Sequence, residues 1–126
     1  MNCQVNKKKL VIADDEEYIR RHLAKKLAAM GLDVYQAGTG QEVLALAADA
    51  PDLIVMDVKM PGMDGLETTR HLKENVHTQH IPVVLLSAMA QPDEVSRGLD
   101  AGAVEYVMKP VTFNRLLQTI RSHLDE

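Results

Sequence analysis

The sequence has little of what disulfide-bonded, membrane-spanning or nucleic-acid-binding proteins require. Its one cysteine, Cys3, excludes an intrachain disulfide and makes a reducing cytoplasm the simplest compartment. No apolar run approaches the roughly 20 residues of a membrane span. The basic run at residues 7–9 leads into a short apolar segment, Leu10 to Ala13, which is too brief for a signal peptide. The formal net charge of −4 gives no electrostatic basis for binding nucleic acid or anionic membranes. We expect a soluble, cytoplasmic protein.

The length and composition indicate one globular domain. The 126 residues are 46% hydrophobic and 25% charged, which is the balance of a compact folded unit. We therefore expect a single domain over residues 1–126, with a flexible N-terminus at residues 1–7.

Short apolar runs alternate with helix-like segments, which is typical of βαβ units around a parallel sheet. The first, third and fourth predicted strands are nearly all apolar, as expected for central strands covered by helices on both faces. The pattern predicts an α/β fold of about five strands and five helices. The predicted strands are Lys9–Ala13, Asp33–Ala37, Leu53–Asp57, Pro82–Ser87 and Glu105–Met108.

The helices are placed by apolar periodicity and by capping residues. Asp64 is a predicted cap for a helix from Gly65 to about Asn75, and Pro92 is predicted in the first turn of a helix ending near Gly102. The helix after the first strand has a predicted apolar face, followed by Gly31 as a C-terminal cap, and the last helix has a predicted apolar face after the N-cap Thr112. The first face is Ile19, Leu23, Leu27 and Met30, and the last is Phe113, Leu116, Leu117, Ile120 and Leu124.

Polar residues follow the predicted strands at the points where they end. Asp14 and Asp15 follow the first strand, Asp57 and Ser87 end the third and fourth, and Lys109 follows the fifth. In an open parallel sheet these strand ends meet at one edge, where ligands bind. Carboxylates brought together there would repel unless a cation neutralised them, and oxygen ligands suit Mg²⁺. The lysine and the serine hydroxyl suit an anion, so the set predicts a phosphoryl group held between a metal ion and a lysine.

The same residues lie in motifs that resemble those of two-component response-regulator receiver domains, the CheY-like family. The motifs are ADDEE at 13–17, LIVMDVKMPGMDG at 53–65, LLSA at 85–88 and YVMKP at 106–110, and together they span almost the whole chain. The resemblance implies a doubly wound, flavodoxin-like sheet of order 2-1-3-4-5. It also implies a phosphorylation-dependent switch that accepts a phosphoryl group on Asp57 from a sensor histidine kinase or phosphotransfer protein.

Further roles come only from the resemblance. Asp15 and Asp57 would bind Mg²⁺ directly, Asp14 largely through water, and Lys59 through its backbone carbonyl. Lys109 would pair with the phosphoryl oxygens, and the Lys109–Pro110 peptide is expected to be cis. No enzyme activity is expected beyond Mg²⁺-dependent self-phosphorylation and autodephosphorylation.

The expected switch residues are Ser87 and Tyr106. In the family the hydroxyl at the Ser87 position moves to the phosphoryl group, and the aromatic ring at the Tyr106 position turns inward. The changed surface would comprise the fourth helix, the fifth strand and the last helix. It would control an effector protein or a C-terminal output domain, with phosphorylation shifting an existing equilibrium.

Each residue also has a simpler explanation when it is taken alone. The acidic run at 14–17 suits a helix N-terminus, and Asp57, Ser87 and Lys109–Pro110 suit turns or loop starts. Tyr106 is typical of a half-buried ring. Their joint occurrence at one sheet edge favours the site. His77 and His80 are predicted to lie in a solvated loop rather than to bind metal, and five methionines, Met56, Met60, Met63, Met89 and Met108, are predicted to pack around the strand ends.

Three other functions compete with this interpretation. A haloacid-dehalogenase-like phosphatase uses a similar aspartate but needs an acid two residues later, where this chain has Lys59. A flavodoxin-like FMN carrier needs a phosphate-binding loop after the first strand, where residues 14–17 would repel the phosphate. A degenerate receiver serving as an interaction module is disfavoured because every acceptor, metal and lysine position is filled.

Overall fold

The computed structural model describes residues 7–89 and 91–124, so Cys3 and nearly all of the predicted flexible N-terminus lie outside the described residues. Strands and helices alternate throughout. In chain order the elements are β1 Lys9–Ala13, α1 Glu17–Ala28, β2 Asp33–Ala37, α2 Gly40–Ala47, β3 Leu53–Asp57, α3 Gly65–Glu74, β4 Val83–Ser87, α4 Pro92–Ala101, β5 Glu105–Met108 and α5 Phe113–Leu124.

The strands form one parallel sheet in the order β2-β1-β3-β4-β5, which confirms the predicted topology. The three apolar strands β1, β3 and β4 are the interior ones. Their registers align the strand ends, with Ala13 beside Met56 and Asp57 beside Leu86. Strand β2 lies on one side of β1 and β3 lies on the other, so the carboxyl ends of β1 and β3 flank the crevice where such sheets bind ligands.

Two hydrophobic cores cover the two faces of the sheet, which explains why the interior strands are apolar at all but their terminal positions. Alternate strand residues point to opposite faces, so Leu10 and Ile12 enter one core while Val11 and Ala13 enter the other. The first core packs against α1 and α5 through Leu27, Leu116, Leu117, Ile120 and Leu124. The second packs against α2 and α3 through Val43, Ala47 and Leu72.

Four of the predicted helix boundaries are confirmed. The Asp64 side chain accepts a hydrogen bond from the Glu67 amide at 2.8 Å, and Thr112 Oγ1 accepts one from the Arg115 amide at 3.1 Å. Pro92 occupies the first turn of α4, and Gly102 ends that helix with φ of 116°. These local signals fix where the helices begin and end, and hence where the loops at the sheet edge lie.

Two details differ from the predictions. Helix α1 ends at Ala28, so Met30 and Gly31 lie in the following turn, where Gly31 adopts φ of 92°. Met30 is exposed, and so is Ile19 within the helix, so only part of the predicted apolar face is buried. Strand β4 begins at Val83 rather than Pro82. Proline has no N–H to donate, although the Pro82 carbonyl accepts from the Ile54 amide at 3.0 Å.

Among the residues that the structure describes, no helix is both long and apolar enough to cross a membrane.

Candidate functional site

The sheet edge brings together the five predicted site residues that follow the strands. Asp14 and Asp15 lie just beyond β1, and Asp57 is the last residue of β3. Ser87 ends β4 beside Met108, and Lys109 follows β5. The topology therefore produces the predicted cluster from four separate segments of the chain.

The three aspartates form a candidate cation site. Asp14, Asp15 and Asp57 each offer a carboxylate oxygen, and these oxygens lie within 4.8 Å of one another. Asp14 and Asp57 are buried, whereas Asp15 is exposed. Carboxylate oxygens with an open, water-accessible side suit Mg²⁺, which keeps several waters and tolerates few protein ligands. The donor set therefore fits the predicted metal.

Asp14 is held in place by its surroundings. Its carboxylate accepts a hydrogen bond from the Glu16 amide at 2.9 Å, and its carbonyl accepts one from Arg20 Nη1 at 2.9 Å. Its own amide donates to the Ala37 carbonyl of β2 at 3.1 Å. These bonds connect the loop after β1 to α1 and β2, so the carboxylate is oriented before any ligand arrives.

Lys109 contacts Asp57 directly. Its Nζ atom lies 2.7 Å from Oδ1 and 2.9 Å from Oδ2 of Asp57, and 3.9 Å from the nearer Asp14 oxygen. The Lys109 backbone amide donates to the Ser87 carbonyl at 2.8 Å. The Lys109–Pro110 peptide is cis, as the resemblance implied. The lysine charge is thus fixed beside the carboxylate that is the predicted phosphoryl acceptor.

Asp57 is electrostatically strained. The pKa of its carboxyl group is raised from 3.8 to about 6: burial is the largest cause, Lys109 opposes the rise, and the neighbouring Asp14 adds to it. One lysine therefore does not compensate for burying this carboxylate beside a second one. A bound cation would favour the ionised form, because it adds positive charge next to both carboxylates.

The two predicted switch residues are linked through Met89. Ser87 Oγ accepts a hydrogen bond from the Met89 amide at 3.0 Å, and the Tyr106 hydroxyl donates to the Met89 carbonyl at 2.8 Å. The Ser87 hydroxyl hydrogen remains available for another acceptor. A movement of Ser87 would therefore displace the residue to which Tyr106 is bonded.

A cavity of about 610 Å³ opens beside these residues. Acidic residues dominate its ionisable lining, so an incoming anion depends on the lysines and on any bound cation. Lys59 lies in this lining and is exposed, and its carbonyl role stays a prediction. The ionisable lining consists of Asp15, Glu16, Asp57, Asp64 and Glu94 as acids, with Lys59 and Lys109 as bases.

Sequence reasoning missed two residues of the site. A Cβ atom on Gly65 would overlap the Asp57 carbonyl oxygen, and the Gly65 amide donates to the Val58 carbonyl at 2.7 Å, so α3 begins against the acceptor loop. Glu94 of α4 lines the cavity. The glycine following the cap Asp64 was visible as a signal, but nothing in the sequence shows that Glu94 reaches the cavity.

The other predicted features have mixed outcomes. His77 and His80 are exposed in a turn region, and the three aspartates are the only potential metal-binding group of three among residues 7–89 and 91–124. Met56 and Met60 are buried as predicted. The packing prediction was wrong for Met89 and Met108, which are exposed because the β4–α4 loop and the edge strand β5 leave those positions uncovered.

Comparison with known proteins agrees with this geometry. A family model described as the response regulator receiver domain matches residues 10–121. The response regulator PleD of Caulobacter vibrioides is 41% identical over 115 residues, which are 90% of this chain and 25% of PleD. The polar-differentiation response regulator DivK of Brucella ovis is 33% identical over 94% of this chain and 98% of its own length.

A solved structure of the chemotaxis protein CheY4 of Vibrio cholerae has a TM-score of 0.88 and 30% identity, covering 94% of this chain and all of that one. The chain spans only a quarter of PleD and half of the probable transcriptional regulator ycf27 of Cyanophora paradoxa. The shared sheet, the matched family model and the level of identity lead to one conclusion. The chain belongs to the response regulator receiver domain family of two-component signalling.

Proposed function

We propose that Asp57 accepts a phosphoryl group from a phosphohistidine on a sensor histidine kinase or phosphotransfer protein, with Mg²⁺ bound at the adjacent carboxylates. The observation that carries this proposal is the contact of Lys109 Nζ with both oxygens of Asp57, at 2.7 and 2.9 Å, inside a cluster of three aspartates. A carboxylate oxygen of Asp57 attacks phosphorus, and the bond from phosphorus to the donor nitrogen breaks. Lys109 stabilises the charge on the phosphoryl oxygens.

Asp14, Asp15 and Asp57 would hold the metal ion, together with the Lys59 carbonyl. When bound, Mg²⁺ neutralises charge on the phosphoryl oxygens and on the surrounding carboxylates. The fixed orientation of Asp14, through Glu16 and Arg20, supports this assignment because it places one carboxylate in advance. The raised pKa of Asp57 also supports this assignment, because it shows that Lys109 alone does not balance the negative charge of the cluster.

The proposed activity is confined to the chain's own aspartyl phosphate, which it would form and hydrolyse. A phosphatase acting on other molecules would need an acid where Lys59 stands. Lys59 offers an amine in place of the carboxyl group which that reaction uses as acid and base. The domain therefore acts as a carrier of a signal rather than as an enzyme with turnover on a separate substrate.

The signal would pass from Ser87 to Tyr106 through Met89. The Ser87 hydroxyl can donate to a phosphoryl oxygen and move its loop, which alters the Met89 carbonyl that holds the Tyr106 hydroxyl. The surface of α4, β5 and α5 then changes. Exposed apolar side chains lie there already, namely Leu99, Val104 and Met108, and they suit contact with an effector protein or an attached output domain.

The phosphodonor protein would approach along a groove next to the site. A second cavity, of about 590 Å³, extends from Asp14 and Lys109 along α1 to α5. Its α1 side includes the exposed residues Tyr18 and Ile19, which offer apolar contact to a partner helix. Ile19→Asp is therefore expected to slow transfer from a phosphorylated cognate kinase while leaving labelling by acetyl phosphate unchanged. Equal rates from the kinase for both proteins would exclude this approach.

We also propose that the domain acts in the cytoplasm, because a kinase of this class signals there. The described surface gives no reason to assign direct binding of nucleic acid or membranes to this domain, since the net charge is −4.

Acetyl phosphate or a cognate kinase, with and without Mg²⁺, tests the central proposal by intact mass. The parent protein should gain one phosphoryl group that depends on Mg²⁺, and Asp57→Asn should gain none. Asp52→Asn, which changes an exposed aspartate outside the site, serves as the matched control. A persistent adduct in Asp57→Asn, or no adduct in the parent protein with any donor, would refute the proposal.

A further inference from the structure

Glu94 is an acidic residue of the phosphoryl cavity that the proposed reaction does not use. It lies in the first turn of α4 and lines the same cavity as Asp57 and Lys59. Its Oε1 atom is shielded from solvent, and it is the only buried side-chain oxygen or nitrogen without a hydrogen-bond partner in the described part of the chain. One oxygen of this carboxylate is thus neither hydrogen-bonded within the protein nor open to solvent.

An unpaired charge in a partly desolvated wall acts more strongly on the cavity than an exposed charge does. Solvent and salt screen charges on an open surface, but they screen shielded groups much less. The nearest acidic neighbour in sequence, Asp93, is exposed and does not line the cavity. Glu94 therefore contributes a negative potential where the phosphodonor and its leaving group must sit.

We propose that Glu94 makes the site selective for phosphodonors that carry less negative charge and release a neutral leaving group. This inference rests on the proposed phosphoryl transfer to Asp57. The favoured donors are nitrogen–phosphorus compounds, phosphohistidine among them, and the disfavoured donors are small acyl phosphates. Lys59, an exposed cation lining the same cavity, acts in the opposite direction.

The charges of the two reactions explain the selectivity. Phosphoramidate carries an ammonium group and two phosphoryl charges; its phosphorus–nitrogen bond breaks, the electron pair stays on nitrogen, and neutral ammonia leaves. Acetyl phosphate carries two negative charges; its phosphorus–oxygen bond breaks, the electron pair stays on oxygen, and acetate leaves as an anion. In both cases Asp57 forms the new bond to phosphorus. Acetyl phosphate thus brings one more negative charge past Glu94 throughout the reaction.

For signalling, this selectivity would reduce phosphorylation of Asp57 by small metabolites. Small acyl phosphates carry no information from a kinase, so a site that disfavours them responds more faithfully to its protein donor. Glu94 acts here through its field on the donor, not through contact with the reacting atoms.

The test compares initial phosphorylation rates with acetyl phosphate and with phosphoramidate, each in saturating Mg²⁺, by quenched intact mass spectrometry. Glu94→Gln should raise the ratio of the acetyl phosphate rate to the phosphoramidate rate roughly twofold or more, because acetyl phosphate carries one more negative charge and gains more from removal of the Glu94 charge. Lys59→Gln should shift the ratio of the two rates in the opposite direction. Asp93→Asn, in the same turn of α4, should leave the ratio unchanged.

The outcomes separate this inference from the proposed function. If both donors label Asp57 but the rate ratio is the same in the parent protein and Glu94→Gln, the selectivity is refuted and the phosphoryl acceptor stands. Equal changes with both donors would show that Glu94 only supports α4, and would also refute it. If neither donor labels the parent protein, the proposed function itself fails, and the inference fails with it.

Discussion

The substitution Asp57→Asn is expected to stabilise the protein in the absence of metal, although it removes the proposed phosphoryl acceptor. Asp57 is a buried carboxylate beside Asp14, with Lys109 as its only adjacent cation among the described residues. Asparagine has nearly the same shape but no charge. It therefore removes the desolvation and the repulsion while it keeps an oxygen that can accept from Lys109.

The magnitude follows from the pKa of Asp57. A rise from 3.8 to about 6 means that the fold disfavours the ionised carboxylate. At 1.36 kcal/mol per factor of ten in the ionisation constant this amounts to about 3 kcal/mol. Water at the cavity reduces it, so we expect a gain of about 1–2 kcal/mol in the free energy of unfolding.

The sign of the pH dependence is definite. The folded state binds the Asp57 proton more tightly than the unfolded state, so this group favours folding below pH 3.8 and loses that contribution as the pH rises through about 6. The difference between variant and parent should therefore be small near pH 4 and reach its full size by pH 7.

Urea unfolding in a metal chelator, at pH 4.5 and at pH 7.5, measures this difference. The exposed Asp49→Asn is the matched control and should show little change at either pH. A parent protein more stable than Asp57→Asn at pH 7.5 would refute the reasoning, and so would a stabilisation of equal size at both pH values.

Three further predictions use other parts of the site. Mg²⁺ at millimolar concentration should raise the melting temperature of the parent protein, and the rise should grow with the logarithm of the Mg²⁺ concentration above the dissociation constant. Asp15→Asn should abolish most of this rise. An unchanged rise in that variant would exclude Asp15 as a ligand. Lys59→Asn should alter the lifetime of the aspartyl phosphate, since Lys59 lines the cavity that admits water, and an unchanged dephosphorylation rate rejects this role. In Gly98→Ala the new Cβ would lie 2.7 Å from Cδ2 of Tyr106, so the NMR signals of that ring should shift before any phosphate mimic is added; unchanged ring signals would contradict the packing.

The sequence predicted the sheet well because its signals are local and mutually consistent. Apolar runs such as Leu53–Asp57 have one stable placement, inside a parallel sheet with helices on both faces. The caps Asp64 and Thr112 determine helix starts through bonds to amides only three residues away. Such contacts depend on neighbours in the chain, which is why reading the sequence was sufficient.

The predictions failed, or missed a residue, where exposure or contact depends on residues that are distant in the sequence. Ile19 has the spacing of a core residue, but it faces the groove between α1 and the loop before α5, so it is exposed. Glu94 has no local signal at all, because its position in the cavity depends on how α4 packs against the sheet. The Met89 contacts of Ser87 and Tyr106 likewise join residues from separate loops and strands. Periodicity reports which residues are apolar, but not which surfaces stay uncovered.

The electrostatic strain at Asp57 connects the metal ion, the proton and the phosphoryl group. A bound cation would lower the pKa of Asp57, and by reciprocity ionisation of Asp57 would raise the affinity for the cation by the same factor. If the cation returned the pKa from about 6 to 3.8, that factor would be roughly a hundredfold. The proposed phosphorylation would replace one carboxylate charge with a larger anionic group, which a bound cation and Lys109 could both pair with. If the proposed function holds, the electrostatic cost of burying ionised Asp57 would strengthen binding of the cation and the phosphoryl group, and the loop that joins Ser87 to Met89 would respond to their arrival.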